Sequence, residues 1–426
     1  MIVQHLGVIG LLALRNLRRY LRRTLLTALA MVVGGALLIF SLSLGDGTHE
    51  SWIDSGVRMG TGHITIESPE FQVSRKIDDR FPADARALVE GALRDSDVAG
   101  QITAVSAKII VQGLASSAAG ARPVQVIGVE PPAEAVFSTL DDQVVEGRYL
   151  EPGDGLAAYV GVGLVERLDL RLGSRLVLTA QDVDQEIAGQ LVRVVGVFRS
   201  GVPAIDQAMV HVPLETVGAW LGSEQDVTNV GVLVTQSHDV PRLASQLRAS
   251  LAGPIESDVI RVIGWREAMP ELDAAVAIED FGNYLVHGIL FVIIGFGIVN
   301  TVLMSVLHRH REFALLQALG LTPRQTGVLV LIEGLALTAV SAVLGIGLGV
   351  FVTWYFWGDG LDVSSMMSSE MTFSGVVIDP VIIPLFRGAR IVQALLFILM
   401  IGGVASAYPA SRAATIDAAE AMKFER

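Results

Sequence analysis

The chain has no cysteine. Without thiols there is no disulfide framework to staple a small domain and no zinc–thiolate site. Lysine is almost as scarce, occurring only at Lys76, Lys108 and Lys423, and the net charge is −13 with a pI near 5.1. A chain so acidic lacks the basic stripe that neutralises several phosphates, so nucleic acid is excluded as a partner. Charged residues are only 18% of 426, against 51% hydrophobic, with a mean hydropathy of +0.54. That balance excludes disorder and collagen-like structure. It is too apolar for an ordinary soluble chain and too polar for one made of lipid-buried helices alone, so a membrane protein with a large soluble part is expected.

The common catalytic signatures are missing as well. There is no G-x-x-x-x-G-K-[ST] loop, H-E-x-x-H pair, G-x-S-x-G elbow or EF-hand spacing, which argues against nucleotide hydrolysis, zinc or serine hydrolase chemistry and calcium binding by this chain. His308 and His310 stand two apart and point to different sides of a helix, so they read as a solvated pair and not as ligands. His63 and His211 lie in strand-like runs as ordinary strand residues. Asp78-Asp79 and Asp141-Asp142 read as solvated charge.

What the chain does have is long apolar runs. Residues 25–45 contain no charge in 21 positions, enough at about 1.5 Å per residue to cross a hydrocarbon core of about 30 Å. Arg15, Arg18, Arg19, Arg22 and Arg23 precede this run as in a signal peptide, but its length and the absence of an A-x-A-like site favour an uncleaved anchor. Residues 285–307, 328–357 and 391–408 form three more spans, interrupted only by His287 and Glu333. Residues 1–24, 308–327 and 409–426 together hold 11 basic and four acidic residues, a net of +7, leaving −20 for the remainder. The basic side is therefore expected to be cytoplasmic, carrying both termini, and the acidic residues 46–284 to lie outside, in a periplasm or at a cell exterior.

Residues 46–284 alternate β-branched runs with glycine-rich turns: 62–67, 102–111, 124–130, 175–181, 191–199 and 230–235 read as strands. Residues 82–93, 161–168, 214–221 and 240–251 read as helices, so a mixed α+β domain, divided into two subdomains, is expected. Met269 to Tyr284 leads into the second span without a break, so that span is expected to extend beyond the membrane as a stalk; Asp46 to Asp54 is a weaker case for the first. Residues 358–390 form a second, smaller outer loop.

Five features of the membrane part carry information. Glu333 lies one and a half turns into the third span, where a central carboxylate would cost about 2.5–3.5 kcal/mol. It reads either as a polar contact between spans or to Arg324, or as an interfacial glutamate reaching for water. Gly345 and Gly349, at G-x-x-x-G spacing, and Gly34-Gly35, Gly295, Gly297 and Gly402-Gly403 permit close helix contacts. Trp354, Tyr355 and Trp357 mark the outer interface of the third span. Finally, Arg311 to Gln325 reads REFALLQALGLTPRQ, a short amphipathic helix stopped by Gly320 and Pro323 with Phe313, Leu315, Leu316 and Leu319 apolar. Such a helix serves either as a docking knob for a cytoplasmic partner or as a turn back into the membrane. The run LRNLRRYLRRTLLT, Leu14 to Thr27, reads as an amphipathic helix at the anionic lipid surface.

Two of these stretches, LRNLRRYLRRTLLT and REFALLQALGLTPRQ, together with YPASRAATIDAAEAM from Tyr408 to Met422, resemble the signature segments of MacB/LolC/LolE/FtsX-type ABC transporter permeases. EGRYLEPGDG from Glu146, GVGLVERLDL from Gly161, GSRLVLTAQ from Gly173 and LVRVVGVFRSG from Leu191 look like the periplasmic core domain of that family. The chain departs from the family's C-terminal motif at Ala418, where a proline is usual, and no ATPase is expected to be fused to it as in MacB.

The resemblance implies four transmembrane α-helices with a large mixed α+β, MacB-like periplasmic domain inserted between the first two. It implies a multi-pass protein of the bacterial inner membrane, working as a dimer with an identical copy or a paralogue, on two separate cytoplasmic ATPases that carry the ATP and magnesium. This chain itself would bind no cofactor and catalyse nothing. Arg311, Glu312, Phe313, Ala314, Leu315, Leu316, Ala318, Leu319 and Gly320 would form the helix that couples to the ATPase, and motion would pass through the stalks to the periplasmic domains. The GTGHITI run, Gly60 to Ile66, looks closer to LolC/LolE, which implies a lipoprotein or other amphiphile taken from the inner membrane. Efflux of a drug, peptide or glycolipid with a periplasmic adaptor, and FtsX-like signalling to an envelope enzyme, are the alternative readings. A secondary transporter is disfavoured, because lone Glu333 offers little for ion coupling and no inverted repeat is visible.

Overall fold

The computed structural model describes residues 21–95, 98–223, 225–362, 372–373, 376–377 and 381–416. The basic N-terminal segment before Leu21 and the tail beyond Ile416, with Ala418, lie outside the described residues. The described chain forms two compact units, one of membrane-type helices and one of mixed α+β structure, with the division falling after His49 and after Ile278.

Ten strands build the α+β unit. They are β1 (Ile64–Glu67), β2 (Ile102–Ser117), β3 (Gly120–Val129), β4 (Val144–Gly147), β5 (Ala157–Gly161), β6 (Arg175–Gln181), β7 (Ile187–Phe198), β8 (Met209–Pro213), β9 (Asn229–Val234) and β10 (Arg261–Gly264). Their order in one sheet is β10-β1-β9-β2-β3-β8-β5-β7-β4, with β6 pairing both β2 and β7. The expected division into two subdomains therefore gives way to a single connected sheet. Its cause is β2, whose 16 residues are long enough to pair with β9 through Ile102–Lys108, with β3 through Lys108–Ser117 and with β6 through Gly113–Ser116. Gly113 is where β6 crosses closely: a Cβ there would lie 2.5 Å from the Thr179 carbonyl oxygen.

Local sequence explains the elements. In β6 Leu176, Leu178 and Ala180 are buried while Arg175 and Gln181 are exposed, the period of two that puts one face on a core. The helix Leu214–Leu221 buries Leu214, Val217, Gly218 and Leu221, the spacing of one helical face, and ends on Gly222 at φ 74, a left-handed conformation that glycine adopts freely. Val217 rests on Gly128 of β3, where a Cβ would approach within 3.1 Å.

The sheet's core contains one buried ion pair. Lys108 Nζ lies 2.8 Å from Glu134 Oε1, Ser106 Oγ donates to Glu134 Oε2 at 2.6 Å, and the ammonium stands 4.3 Å from the centre of the Phe137 ring. The two side chains are 4% and 2% exposed, so each relies on these partners to offset the loss of water. Of the two histidines read as strand residues, His211 lies in a strand and His63 just before β1, and both are buried. His211, on β8, is buried beside Tyr149, whose hydroxyl lies 3.5 Å from Nδ1, and burial pulls its pKa down to about 4. His63 Nδ1 accepts from the Val234 amide at 3.4 Å, and burial lowers its pKa also.

Four helices are long and apolar enough to cross a membrane. They are α1 (Leu21–Met59), α2 (Pro270–His308), α4 (Pro323–Trp357) and α5 (Gly388–Ala414), with the short α3 (His310–Ala318) between α2 and α4. The apolar runs 25–45 and 285–307 occupy parts of 39-residue helices, and neither is interrupted at Asp46–Asp54 or Met269–Tyr284 except that Met269 caps the preceding turn. Within the second outer loop, Leu361–Asp362 pairs with Val381–Ile382, and Thr372–Phe373 pairs with Val376–Val377.

Small residues set the packing of this unit. A Cβ on Gly345 would meet the Val32 carbonyl oxygen at 2.8 Å, and one on Gly349 the Ala36 carbonyl oxygen at 2.8 Å, so α1 and α4 touch backbone to backbone along the G-x-x-x-G face. On the other side of α4, Gly334 faces Ser406 and Thr338 faces Gly402 of α5. Gly34 faces Ile294 and Gly295 faces Ile401, whereas Gly297 has no neighbour within 4 Å of a Cβ. Trp354 and Tyr355 are exposed at the end of α4, and Trp357 packs against Phe40 with ring centres 5.0 Å apart.

Candidate functional site

The chain turns between α2 and α3 at Arg309, whose φ of −105° and ψ of 18° take it out of both helices. The turn aims its guanidinium inward. Nη1 donates to Glu333 Oε1 at 2.7 Å and to Oε2 at 2.8 Å, Nε donates to Glu312 Oε2 at 2.8 Å, and the guanidinium carbon stands 5.0 Å from the centre of the Phe313 ring. The Arg309 side chain is only 7% exposed. One cation thus ties the end of α2, the first turn of α3 and the interior of α4 together.

Of the readings open for Glu333, the geometry gives a polar contact. The carboxylate makes its polar contact with Arg309 rather than Arg324, because Arg324 sits at the exposed start of α4 while the break before α3 carries Arg309 under it. A paired carboxylate in an apolar surround costs far less than a lone one.

Helix α3 does not present the apolar face its sequence offers. Phe313 and Ala314 are buried, and Leu316 packs half-buried against a cluster that includes Val306, Leu329, Val330, Ala410 and Ala413. Leu315 and Leu319 point away from that cluster, 55% and 75% exposed, alongside exposed Arg311, Ala318 and Gly320. The four apolar residues are therefore split between two faces. Two of the polar ones turn inward: Glu312 pairs with Arg309, and Gln317 Nε2 lies 3.5 Å from Thr326 Oγ1 on α4. Folding has spent the polar groups on internal ties and left two leucines outside.

The connection to α4 is built tightly. Gly320 at φ 106° turns the chain after α3, and Thr322 caps α4 by a reciprocal pair: its hydroxyl accepts from the Gln325 amide, and the Gln325 side chain accepts from the Thr322 amide. Pro323 occupies the first turn, where its missing N–H costs nothing. These devices hold α3 rigidly against the end of α4. His308 Nδ1 lies 2.9 Å from the Met304 carbonyl oxygen.

No triad or other nucleophile–base arrangement lies near this turn among the described residues. What the arrangement offers is mechanical: a short helix with an exposed leucine pair, fixed to two long helices through a buried arginine.

Comparison with known proteins agrees with this architecture. The FtsX-like permease C-terminal family model matches residues 284–418, and the MacB-like periplasmic core domain model matches residues 24–250. The chain is 23% identical to the lipoprotein-releasing system transmembrane protein LolC of Neisseria meningitidis over 76% of its own length and 79% of that protein's. It is 23% identical to the uncharacterized ABC transporter permease YknZ of Bacillus subtilis over 97% of its own length and 98% of that protein's. Identity with the macrolide export ATP-binding/permease protein MacB of Brucella melitensis is 26%, over 80% of this chain and 52% of that one. With both halves matched, a core domain inserted after the first span and an FtsX-like set of three further spans, the chain belongs to the MacB/LolC/FtsX type of ABC transporter permease.

Proposed function

We propose that the chain is the non-catalytic transmembrane subunit of an ABC machine that extracts a lipoprotein or similar amphiphile from the bacterial inner membrane. Two separate cytoplasmic ATPase subunits bind ATP and magnesium, and the permease works as a dimer with a copy of itself or a paralogue. The observation that carries this reading is α3, with Leu315 and Leu319 exposed on a helix tied through Arg309 to α2 and α4. An exposed leucine pair is unfavourable in water unless a partner covers it, and a mount tied to two helices passes displacement of that partner to both. The charge asymmetry of +7 against −20 supports cytoplasmic termini and an α+β domain on the outer side.

In this mechanism, ATP-driven closure of the ATPases shifts α3, and the shift passes along α2 and α1 to the α+β domain. Similarity to LolC supports the lipoprotein reading, and similarity to MacB keeps efflux with an adaptor as the second. The test is purification of the tagged chain in nanodiscs, with mass spectrometry of bound proteins and lipids. An ATPase recovered with a triacylated lipoprotein is the expected result. An ATPase with an adaptor supports efflux, an ATPase with a cell-wall hydrolase supports signalling, and no ATPase at all overturns the assignment.

A further inference from the structure

Away from α3, the same unit brings three ligand-type side chains together between α1 and α2. His49 Nδ1 lies 3.2 Å from Glu279 Oε2 and 3.4 Å from Asp280 Oδ1. All three ligand atoms fall within 4.8 Å of one another. His49 and Glu279 are mostly enclosed, with side chains 14% and 11% exposed, whereas Asp280 is 36% exposed and leaves the cluster open to water on one side.

Two aspects of the geometry go beyond an ordinary ion pair. First, Nδ1 can give at most one hydrogen, yet it faces two carboxylate oxygens at nearly equal distances. A metal ion bound tetrahedrally at about 2.1 Å holds its ligand atoms about 3.4 Å from each other, close to the two distances from His49 Nδ1, while all three atoms stay within 4.8 Å. Second, Glu279 is held from behind. Asn283 Nδ2 donates to Glu279 Oε1 at 2.5 Å, leaving Oε2 toward the imidazole, and Asn283 in turn packs on Gly45, where a Cβ would come within 3.2 Å of its amide nitrogen. A carboxylate with one oxygen fixed by an outer hydrogen bond and the other turned to a histidine is how metal ligands are oriented.

We propose that His49, Glu279 and Asp280 bind a divalent transition-metal ion, zinc before manganese, with water in the remaining position. One imidazole and two carboxylates suit zinc in charge and ligand type, and the imidazole disfavours magnesium and calcium. The ion cross-links α1 to α2 at a single level and neutralises two carboxylates that otherwise share one histidine. This proposal is independent of the cargo and of the ATPase.

The test uses the full chain in detergent with its affinity tag removed and metal stripped by chelator, titrated with zinc and followed by calorimetry and elemental analysis. One zinc per chain with micromolar or tighter affinity is expected, together with a rise in Tm on zinc addition. Glu279→Gln and Asp280→Asn should each weaken binding at least tenfold, and His49→Ala should remove the stoichiometric site. Cobalt in place of zinc should give a tetrahedral ligand-field spectrum in the parent and not in Asp280→Asn, whose exposed position keeps this readout available if His49→Ala does not fold. Absence of saturable zinc uptake by the parent, or equal uptake by parent and the His49→Ala/Glu279→Gln/Asp280→Asn variant, overturns the site and leaves a plain histidine–carboxylate ion pair.

Discussion

Arg309 and Glu333, 24 residues apart, meet through both carboxylate oxygens at 2.7 and 2.8 Å, beneath a short helix that neither residue belongs to. Removing one partner of such an enclosed pair strands the other, which typically costs about 3–5 kcal/mol. Arg309→Met is therefore expected to lower the stability of the membrane unit markedly, and Arg309→Met/Glu333→Leu to restore most of it. ATPase coupling should stay lost in the double variant, because the tie between α2 and α4 is gone. Thermal unfolding in detergent alongside ATPase activity of the reconstituted complex separates the two effects.

The two faces of α3 predict opposite phenotypes. Leu315→Asp and Leu319→Asp change exposed side chains, and the chain should fold normally while losing ATPase co-purification. Leu316→Asp places a charge against the packed cluster, and is expected to destabilise the unit by several kcal/mol before any docking is tested. Size-exclusion profiles and pull-down yields for the three variants check this pattern.

Glycines two residues apart on α4 should differ sharply. Gly345→Leu drives a side chain into the α1 backbone, where even a Cβ lies 2.8 Å from the Val32 carbonyl oxygen, whereas a Cβ on Gly347 meets nothing within 4 Å. Gly347→Leu should therefore express and purify as the parent does, and Gly345→Leu should lose monodispersity.

In the α+β domain, Lys108→Met leaves buried Glu134 without its cation and is expected to cost about 3–5 kcal/mol, while Lys108→Met/Glu134→Leu should regain most of that loss. Ser106 would then keep an unmatched hydroxyl, so full recovery is not expected. Denaturant unfolding followed by tryptophan fluorescence provides the measurement.

His211 gives the domain an acid sensitivity with a definite sign. Its pKa falls from 6.5 to about 4 on folding because burial disfavours the imidazolium, so between those values the unfolded chain binds more protons than the folded one. Its contribution is complete above pH 6.5 and is lost as pH drops toward 4, by up to about 3 kcal/mol. His211→Leu should show a shallower loss of Tm across that window than the parent, whatever its stability at neutral pH.

Much of this was legible in the sequence where a pattern reports directly on environment. β6 alternates, and its predicted bounds coincide with the structure; the helix Leu214–Leu221 likewise shows its face in its spacing. β5 and β8 were missed because all five residues of each are buried, so AAYVG and MVHVP carry no alternation to read. Arg309 could not be singled out as the partner of Glu333 because the break there is a tertiary feature with no glycine or proline to announce it. The split of α3 failed for a related reason. Amphipathicity states which residues can be buried, but Arg309 and Thr326 decided that Glu312 and Gln317 would face inward. His49 escaped notice because its two carboxylates lie 230 residues and more downstream.

The edge of the sheet sets a schedule for biosynthesis. β1 ends at Glu67, and its two neighbours, β9 and β10, begin at Asn229 and Arg261. At ribosomal speeds of about 5–20 residues per second, β1 waits on the order of 10–30 s with both edges unpaired. During that interval a four-residue strand of Ile64, Thr65, Ile66 and Glu67 has open hydrogen-bonding groups on each side, the state in which strands mispair with other chains. The edge of the sheet is therefore completed only once Gly264 has emerged to pair with Ile64.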